Sequence, residues 1–523
     1  MIRRDATRTS WLSVGRRIGM FASAAVILTG MATGAWADTS RDNESATLPP
    51  ELAERIDARF LAYQAEEHVP GIVWGIVKDG KLVHFRASGM ADLETKAPVT
   101  EDSVFSIASM SKAFTALAIL KLRDEGKLRL DALAEDYVPE LRDWTYPTTD
   151  SPRIRVRDLL AHAGGLVTDN PWGDRQQDMP EEVFTEVLKQ GVPFNTVPQT
   201  GYEYSNFGYA LLGRIVTNAS GMPYEEYIRT GILLPLGMVS TGYDAFALDQ
   251  NRRALGYRWQ DEVFTEQPAM EPGVFGAMGG MISNASDYEK WVAFLLDAWP
   301  ARDGEESGPV KRSTVREMAQ GLNFARVLTF KGLEEGDECD VAITYGMGFN
   351  VSTECELGTA LAHSGGYPGY GSYVMLMPDA GVGIFTFANR TYAAAWQTVR
   401  EAALEMKKDG WIEERAVPVS DVLAQAYALA GEIYTEGKLS PAEGQLAMNF
   451  LLDGSVAVRE RALAELKEQV GACDTDAPIK ASGRLSGTIS WTCEKGDVEG
   501  LLLLSPTNPP KFQELRLRVA PAS

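Results

Sequence analysis

The chain has 523 residues, of which 45% are hydrophobic and 23% are charged. These proportions are typical of a globular protein and exclude a disordered or collagen-like chain, and the length predicts more than one domain. Fifty basic residues against 72 acidic ones give a formal net charge of −22. This balance argues against nucleic acid as a partner, because affinity for a phosphate backbone depends on basic surface.

The first 37 residues have the pattern of an export signal. Five arginines precede an apolar run over residues 18–31, and Ala35-Trp36-Ala37 places small residues where a signal peptidase cleaves. The run is too short to span a membrane comfortably. We therefore expect a signal peptide over residues 1–37 and an exported protein, periplasmic or secreted, with no stable membrane span. A retained anchor is the alternative, and either the general secretory or the twin-arginine route is open.

In chain order, the mature sequence begins with a helical pattern and a β-hairpin. The helix covers residues 51–66, and strands over residues 72–77 and 82–87 flank an Asp-Gly turn signal. An apolar stripe with helical spacing follows over residues 112–123, and a long middle region is rich in helix signals. Strand patterns resume over residues 342–351, 359–363, 373–377 and 383–388.

Early and late strands around a helical middle predict an α+β fold. We expect an antiparallel sheet built from both ends of the catalytic domain, flanked by helices, with a helical insert over one face. A linker containing Pro418 separates this domain, residues 38–411, from a small C-terminal α+β domain, residues 412–523. The accessory domain has helical patterns over residues 421–434 and 456–470 and strand patterns over residues 479–492 and 498–504.

Export makes the four cysteines informative, because disulfides form in oxidising compartments. Cys339 and Cys355 flank two short strand patterns, and Cys473 and Cys493 bracket another β segment. We expect local disulfides 339–355 and 473–493, with four buried thiols as the alternative. A zinc site is disfavoured because these spacings include no C-x-x-C pair and no nearby histidine, and the sequence predicts neither a metal nor another cofactor.

The first chemical motif is Ser109-Met110-Ser111-Lys112, where a loop enters the apolar helix. Three positions on a helix make nearly one turn, so the hydroxyl and the amine share a face. Desolvation lowers the pKa of a lysine in an apolar wall, and such an amine can take the serine proton. The short pattern alone is weak evidence, and an N-cap serine followed by a solvated lysine is the structural alternative.

Two later segments carry candidate partners for this pair. Tyr204-Ser205-Asn206 precedes another apolar helix, and His363-Ser364-Gly365-Gly366 ends a strand in small residues that let a ligand approach the backbone. Each residue could instead have a purely structural role. Tyr204 would then be an ordinary core tyrosine, and His363 a buried histidine whose hydrogen bonds are made within the protein.

Taken in order, the three segments resemble the S-x-x-K, Y-x-N and [KH]-x-G elements of the penicillin-recognising serine hydrolases. The resemblance is strongest to the class C β-lactamase-like branch, which includes β-lactamases, D-aminopeptidases, DD-carboxypeptidases and esterases. Supporting matches lie at residues 157–166, 278–283 and 366–370, and the resemblance covers residues 50–410. It implies a β-lactamase/transpeptidase-like fold.

The resemblance also implies a role for each matched position. Ser109 would form an acyl-enzyme, Lys112 would hold or take its proton, and Tyr204 would be the general base. Asn206 would orient the lysine and a substrate amide. The backbone N–H groups of Ser109 and Gly366 would form the oxyanion hole.

The strand segment that contributes to substrate binding includes one departure from the penicillinases. His363, followed by Ser364 and Gly365, stands where those enzymes have a lysine, and a neutral imidazole offers no fixed charge to a substrate carboxylate. We therefore expect an exported serine hydrolase that cleaves ester or amide, peptide-like substrates. The alternatives are a DD-carboxypeptidase or β-lactamase acting on cell-wall peptides or β-lactams, and a catalytically silent protein that binds muropeptides or β-lactams.

Overall fold

The computed structural model describes residues 47–333 and 336–521. The predicted signal peptide, residues 1–37, lies outside the described residues. Within those ranges, no helix combines the length and the apolar character needed to cross a membrane.

The strands of the described chain are short to medium in length and fall into a large and a small sheet, with minor pairs. They are β1 (Gly71–Lys78), β2 (Lys81–Asp92), β3 (Ala97–Pro98), β4 (Phe105–Ser106), β5 (Gly256–Gln260), β6 (Val263–Gln267), β7 (Ile282–Ser283), β8 (Asn323–Lys331), β9 (Glu338–Tyr345), β10 (Asn350–Glu354), β11 (Gly358–Tyr367), β12 (Tyr370–Met377), β13 (Val382–Ala388), β14 (Lys480–Gly483), β15 (Ser486–Cys493), β16 (Gly496–Leu504) and β17 (Phe512–Val519).

The α-helices separate the early strands from the late ones and flank both sheets. They are α1 (Pro50–Glu66), α2 (Ser111–Asp124), α3 (Val156–Leu160), α4 (Asn170–Gly173), α5 (Glu181–Gln190), α6 (Asn206–Ser220), α7 (Tyr224–Ile228), α8 (Gly276–Gly279), α9 (Ala285–Leu296), α10 (Arg312–Met318), α11 (Trp396–Lys408), α12 (Asp421–Glu436), α13 (Met448–Leu452) and α14 (Val456–Val470).

The main sheet joins the two ends of the catalytic region. Among the described residues it has nine antiparallel strands in the order β3-β2-β1-β13-β12-β11-β10-β9-β8. The first hairpin pairs with the last strand, with Ile72 opposite Ala388. The expected α+β architecture, with one antiparallel sheet built from both chain ends, is therefore confirmed.

Strand β1 is buried on both faces because helices cover the sheet on each side. Alternate residues of a strand point to opposite faces. Val73 and Val77 pack in the core that contains α2 and α6, whereas Ile72, Trp74 and Ile76 pack against α1 and α11. This placement explains why the strand is a nearly continuous apolar run rather than an alternating one.

The helical insert lies between β4 and β7 and packs against α2. Its elements, α3 to α8, bury side chains such as Leu159, Phe184 and Met278 in the same core as Phe114 of α2. This layer places α6 and α8 beside the first turn of α2, where the S-x-x-K motif lies. The insert therefore forms one wall of the candidate site.

The strand pattern over residues 342–351 forms two strands, as the two short patterns between Cys339 and Cys355 predict. The structure divides it into β9 and β10 with a turn between them, and the adjoining β8 had no predicted counterpart. Gly348 in this turn has φ +85°, and a Cβ there would approach Ala113 Cα of α2 to 2.6 Å. Close packing of the turn on α2 therefore interrupts the strand.

A second core lies beyond the predicted linker. Helices α12 to α14 pack against the four-stranded antiparallel sheet β14-β15-β16-β17. This arrangement confirms the small C-terminal α+β unit, while its boundary at residues 411 and 412 stays a prediction. Both expected disulfides are present: Cys339 of β9 bonds to Cys355 after β10, and Cys473 bonds to Cys493 of β15.

Candidate active site

Ser109 lies in a turn of 3-10 helix, Ala108–Met110, directly before α2. Ala108 has φ +47°, a left-handed conformation that is costly for a residue with a Cβ and is found at functional sites. The Ser111 hydroxyl fixes this turn by donating to the Ala108 carbonyl at 2.6 Å and accepting the Met281 N–H at 3.1 Å. The nucleophile candidate is therefore held rigidly at a helix N-terminus.

Lys112 is fully buried and points at Ser109. Its Nζ donates to Ser109 Oγ at 3.1 Å, to Asn206 Oδ1 at 2.7 Å and to the Met278 carbonyl at 2.8 Å. These three acceptors match the three hydrogens of an ammonium group. Desolvation lowers the pKa of Lys112 to about 7, although the negative charges of Asp174 and Asp169 oppose this change.

Tyr204 completes the group around Ser109. The Lys112 Nζ lies 4.9 Å from the centroid of its ring. Burial raises the pKa of Tyr204 well above its ordinary value, and the nearby Ser109 hydroxyl is the largest opposing influence. The Ser109 hydroxyl, the Lys112 amine and the Tyr204 phenol therefore lie together, as the sequence predicts. Near neutral pH the phenol stays protonated, whereas the amine is present in both its protonated and its neutral form.

Asn206 is the first residue of α6, and its position is fixed by capping interactions. The Ser205 hydroxyl accepts the Gly208 N–H at 3.1 Å. Asp169 accepts the N–H groups of Asn206 at 2.6 Å and of Phe207 at 2.9 Å. These bonds satisfy the free donors of a helix N-terminus, so the start of α6 holds the Asn206 amide against Lys112.

His363 lies on β11 and is buried. Its Nδ1 donates to the Ser364 carbonyl at 2.7 Å, so Nε2 of the neutral ring accepts from the Tyr345 hydroxyl at 3.0 Å. Desolvation first, and the nearby charge of Lys112 second, lower the pKa of His363 to about 3. The imidazole is therefore neutral, and both of its nitrogens already have protein partners.

The end of β11 passes close to the nucleophile turn because it lacks side chains there. A Cβ at Gly365 would overlap the Ile107 carbonyl and the Ser372 hydroxyl, and one at Gly366 would overlap the ring of Tyr392. Ser364 on this strand is exposed. Glycine at both positions lets the strand backbone approach the site, as the sequence pattern predicts.

Several residues that sequence reasoning missed line the same site. His162, which lies in the supporting match at residues 157–166, is buried and packs on Tyr204 with ring centroids 4.4 Å apart. Its Nδ1 accepts the Ser205 N–H at 3.1 Å, so it supports the loop that carries the tyrosine. Asp169 and Asp174 had no sequence signal, because both lie in an irregular segment without periodicity or a motif. Within the described residues, no cluster of three or more acidic, histidine or cysteine side chains is placed to bind a metal ion.

Two comparisons with known sequences agree with this geometry. The family model described as Beta-lactamase matches residues 56–405. The chain is 27% identical over 350 residues to Protein flp of Staphylococcus aureus (strain COL), which is 65% of this chain and 64% of that protein. It is 28% identical over 319 residues to Penicillin-binding protein 4* of Bacillus subtilis (strain 168), or 57% of this chain and 64% of that protein. The chain therefore spans less than two thirds of the length of these relatives.

Solved structures show the same fold at low sequence identity. The octameric penicillin-binding protein homologue from Pyrococcus abyssi has a TM-score of 0.53 and 22% identity, covering 89% of this chain and 99% of that one. A class C beta-lactamase has a TM-score of 0.54 and 20% identity, covering 70% of this chain and 97% of that one. Because the family model spans more than half of the sequence, the chain belongs to the β-lactamase family, within the superfamily of β-lactamase and penicillin-binding-protein serine hydrolases.

Proposed function

We propose that the protein is an exported serine hydrolase that cleaves ester or amide bonds through an acyl-enzyme on Ser109. The observation that carries the proposal is the buried Lys112 amine, 3.1 Å from Ser109 Oγ, with a pKa lowered to about 7. A base is most effective when its pKa lies near the working pH. An ordinary surface lysine would be protonated and unable to accept the serine proton.

In the acylation step, the neutral Lys112 amine takes the Ser109 proton as Oγ bonds to the substrate carbonyl. The carbonyl electrons move onto oxygen, where the N–H groups of Ser109 and Gly366 are proposed to stabilise the charge, at about 2.7–4 kcal/mol per donor. When the tetrahedral intermediate collapses, the bond to the leaving group breaks. Tyr204 donates its proton to that group and recovers one from Lys112.

Deacylation reverses the same proton transfers with water as the nucleophile. Tyr204 and Lys112 together accept a proton from water as its oxygen bonds to the acyl carbon, and the Ser109 Oγ–acyl bond breaks. The proton returns to Ser109 Oγ, which restores the free enzyme.

The neutral His363 supports esters, or amides without a required terminal carboxylate, as the substrate class. A lysine at this position would present a charge to a substrate carboxylate, whereas this imidazole is uncharged and engaged by Tyr345 and Ser364. DD-carboxypeptidase or β-lactamase activity is the second candidate, since one relative is named as a penicillin-binding protein. The two disulfides support export, because such bonds persist in oxidising compartments.

The experiment that tests the proposal combines covalent labelling with a substrate panel. The mature chain, Ser109→Ala and Ser286→Ala are treated with a fluorophosphonate probe and a fluorescent penicillin; Ser286 is a partly exposed serine outside the site. We expect labelling that only Ser109→Ala abolishes. Rates on p-nitrophenyl esters, amino-acid anilides, D-Ala-D-Ala peptides and nitrocefin then identify the substrate class. Absence of labelling by either probe in folded protein would contradict catalysis and favour a binding role.

A further inference from the structure

Asp174 is a buried carboxylate beside the catalytic groups. Its residue surface is 3% exposed, and its Oδ2 accepts the Tyr392 hydroxyl at 3.0 Å. Within residues 47–333 and 336–521, Oδ1 receives no hydrogen bond, and no basic side chain forms an ion pair with either oxygen. Buried charges in proteins are normally paired, because an uncompensated one is costly.

The neighbours of Asp174 place it in the catalytic cleft. The preceding Gly173 packs on Asn206, and a Cβ at Gly173 would lie 2.8 Å from Asn206 Cβ. Tyr392, the hydrogen-bond donor to Asp174, lies over Gly366. Asp174 is therefore held between the residue that contacts Lys112 and the strand that carries the proposed oxyanion donor. Lys112 is also the strongest positive influence on this carboxylate.

The same contacts indicate which part of a substrate would meet Asp174. The leaving group must lie beside Tyr204, which donates its proton and packs among the rings of His162, Tyr345 and His363. Asp174 lies beside Gly173 and Tyr392, and its charge also helps to raise the pKa of Tyr204. Since the scissile carbonyl must reach the proposed donor at Gly366, which Tyr392 covers, we assign the Asp174 side of the cleft to the acyl part of the substrate.

Asp169 also acts on Lys112, but its carboxylate is not available to bind a substrate. Both of its oxygens accept backbone N–H groups at the start of α6, so its acceptors serve as a helix cap. Asp174 keeps one oxygen free and has no ion-pair partner. Burial raises the pKa of Asp174 to about 6, against the opposing charge of Lys112 and the Tyr392 hydrogen bond, which reflects the cost of burying this charge unpaired.

We propose that Asp174 binds a protonated amino group on the acyl part of the substrate. The substrate class is then aminoacyl esters or amides that carry a free amine near the scissile carbonyl. This inference rests on the proposed acyl-enzyme function and adds a specificity-determining residue to it. The bound ammonium pairs with the buried carboxylate and aligns the carbonyl with Ser109.

The test compares substrates that differ only at the amine. We measure kcat/KM for alanine p-nitroanilide, in both enantiomers, and for the N-acetyl derivative of each. We expect the mature protein to prefer the free amine of one enantiomer. Asp174→Asn should lower the ratio of kcat/KM for the free-amine substrate to kcat/KM for the acetylated one about 10- to 100-fold, as expected for losing a hydrogen bond to a charged group. Asp178→Asn removes an exposed charge from the same segment and should leave the ratio within about twofold, as is usual for surface substitutions.

The unmodified protein gives a second readout that does not depend on the folding of a variant. The preference for the free amine should increase as pH rises through about 6, where Asp174 ionises. The other charged groups acting on Asp174 are Lys112, Asp169 and Arg175. Since the acetylated substrate uses the same catalytic groups, the ratio cancels their direct effect on the chemical steps.

Three outcomes would overturn the inference without affecting the proposed function. The first is a preference for the acetylated substrate at every pH, and the second is a ratio that Asp174→Asn leaves unchanged. The third is that a probe labels Ser109 while the free-amine substrates neither slow this labelling nor are hydrolysed. Failure of Ser109 to label or turn over any substrate would instead contradict the proposed function itself.

Discussion

Asn206→Asp provides a direct test of Lys112 as the base. The amide oxygen of Asn206 accepts from Lys112 Nζ at 2.7 Å, so the substitution places a negative charge in contact with the amine. An opposite charge within about 4–6 Å favours the protonated amine and changes a pKa by about one to three pH units. Starting from about 7, the pKa of Lys112 should rise into the range of about 8–10.

The magnitude follows from the fraction of neutral amine. At pH 7, about half of Lys112 is neutral in the native protein, and about 10% to 0.1% should be neutral in the variant. We therefore expect kcat/KM at pH 7 to fall about 5- to 500-fold and to recover at higher pH. Nδ2 of Asn206 donates to Asn170 Oδ1 at 3.0 Å, and an amide rotation at Asn170 can supply a donor to the new carboxylate.

The assay is the pH dependence of kcat/KM on an uncharged p-nitrophenyl ester, with Ser109→Ala as the blank for spontaneous hydrolysis. Asn218→Asp is the matched control, since it makes the same change at an exposed position of the same helix and should leave the profile in place. An Asn206→Asp profile with a lower plateau but an unmoved acidic limb would refute the assignment of Lys112 as the titrating base.

Three further predictions concern catalysis and stability. Lys112→Arg should lower kcat/KM at least about 100-fold, because a guanidinium does not release its proton near neutral pH; a rate close to that of the native protein would exclude lysine as the base. Burial is the largest single influence on the pKa of Asp57 and raises it, but the contacts with His84, Trp74 and Arg86 together lower this pKa below its ordinary value. The ionised carboxylate therefore stabilises the fold above pH about 4, and this contribution is lost as pH falls. Urea unfolding of Asp57→Asn should show a deficit of about 1.5–3 kcal/mol at pH 7 that shrinks toward pH 3, and a deficit independent of pH would contradict the linkage. Replacing Cys473 and Cys493 together by serine removes a crosslink across 20 residues and should lower the free energy of unfolding by about 3 kcal/mol; an unchanged urea midpoint and slope would contradict it.

The placement of the candidate catalytic residues could be predicted because short-range spacing decides their geometry. Ser109 and Lys112 share a helix face whatever the rest of the chain does, and helix α2 begins within one residue of the predicted position. Helix α14 was also predicted at its observed bounds, Val456–Val470. Local periodicity and motif order were sufficient for these features.

Other features depend on contacts between distant segments, which no local pattern encodes. The donor to His363 is Tyr345, 18 residues earlier on β9. The turn between β9 and β10 is likewise fixed by a distant contact, because Gly348 packs on Ala113 of α2. Asp174 differs from an exposed loop aspartate because it is buried and because Tyr392, 218 residues away, bonds to it. The sequence could therefore identify the candidate reacting groups but not the residues that set the charge around them.

His363→Lys tests this charge environment by adding a positive charge, whereas Asn206→Asp adds a negative one. The charge of Lys112 already helps to lower the pKa of His363, so the two positions interact, and a second ammonium would disfavour protonation of Lys112. The acidic limb of the pH profile should therefore move to lower pH, whereas Asn206→Asp moves it to higher pH. His68→Lys adds the same side chain at an exposed histidine and should leave the limb in place. If both His363→Lys and Asn206→Asp moved the limb in the same direction, its position would not report the charge of Lys112, and the electrostatic account of the base would be wrong.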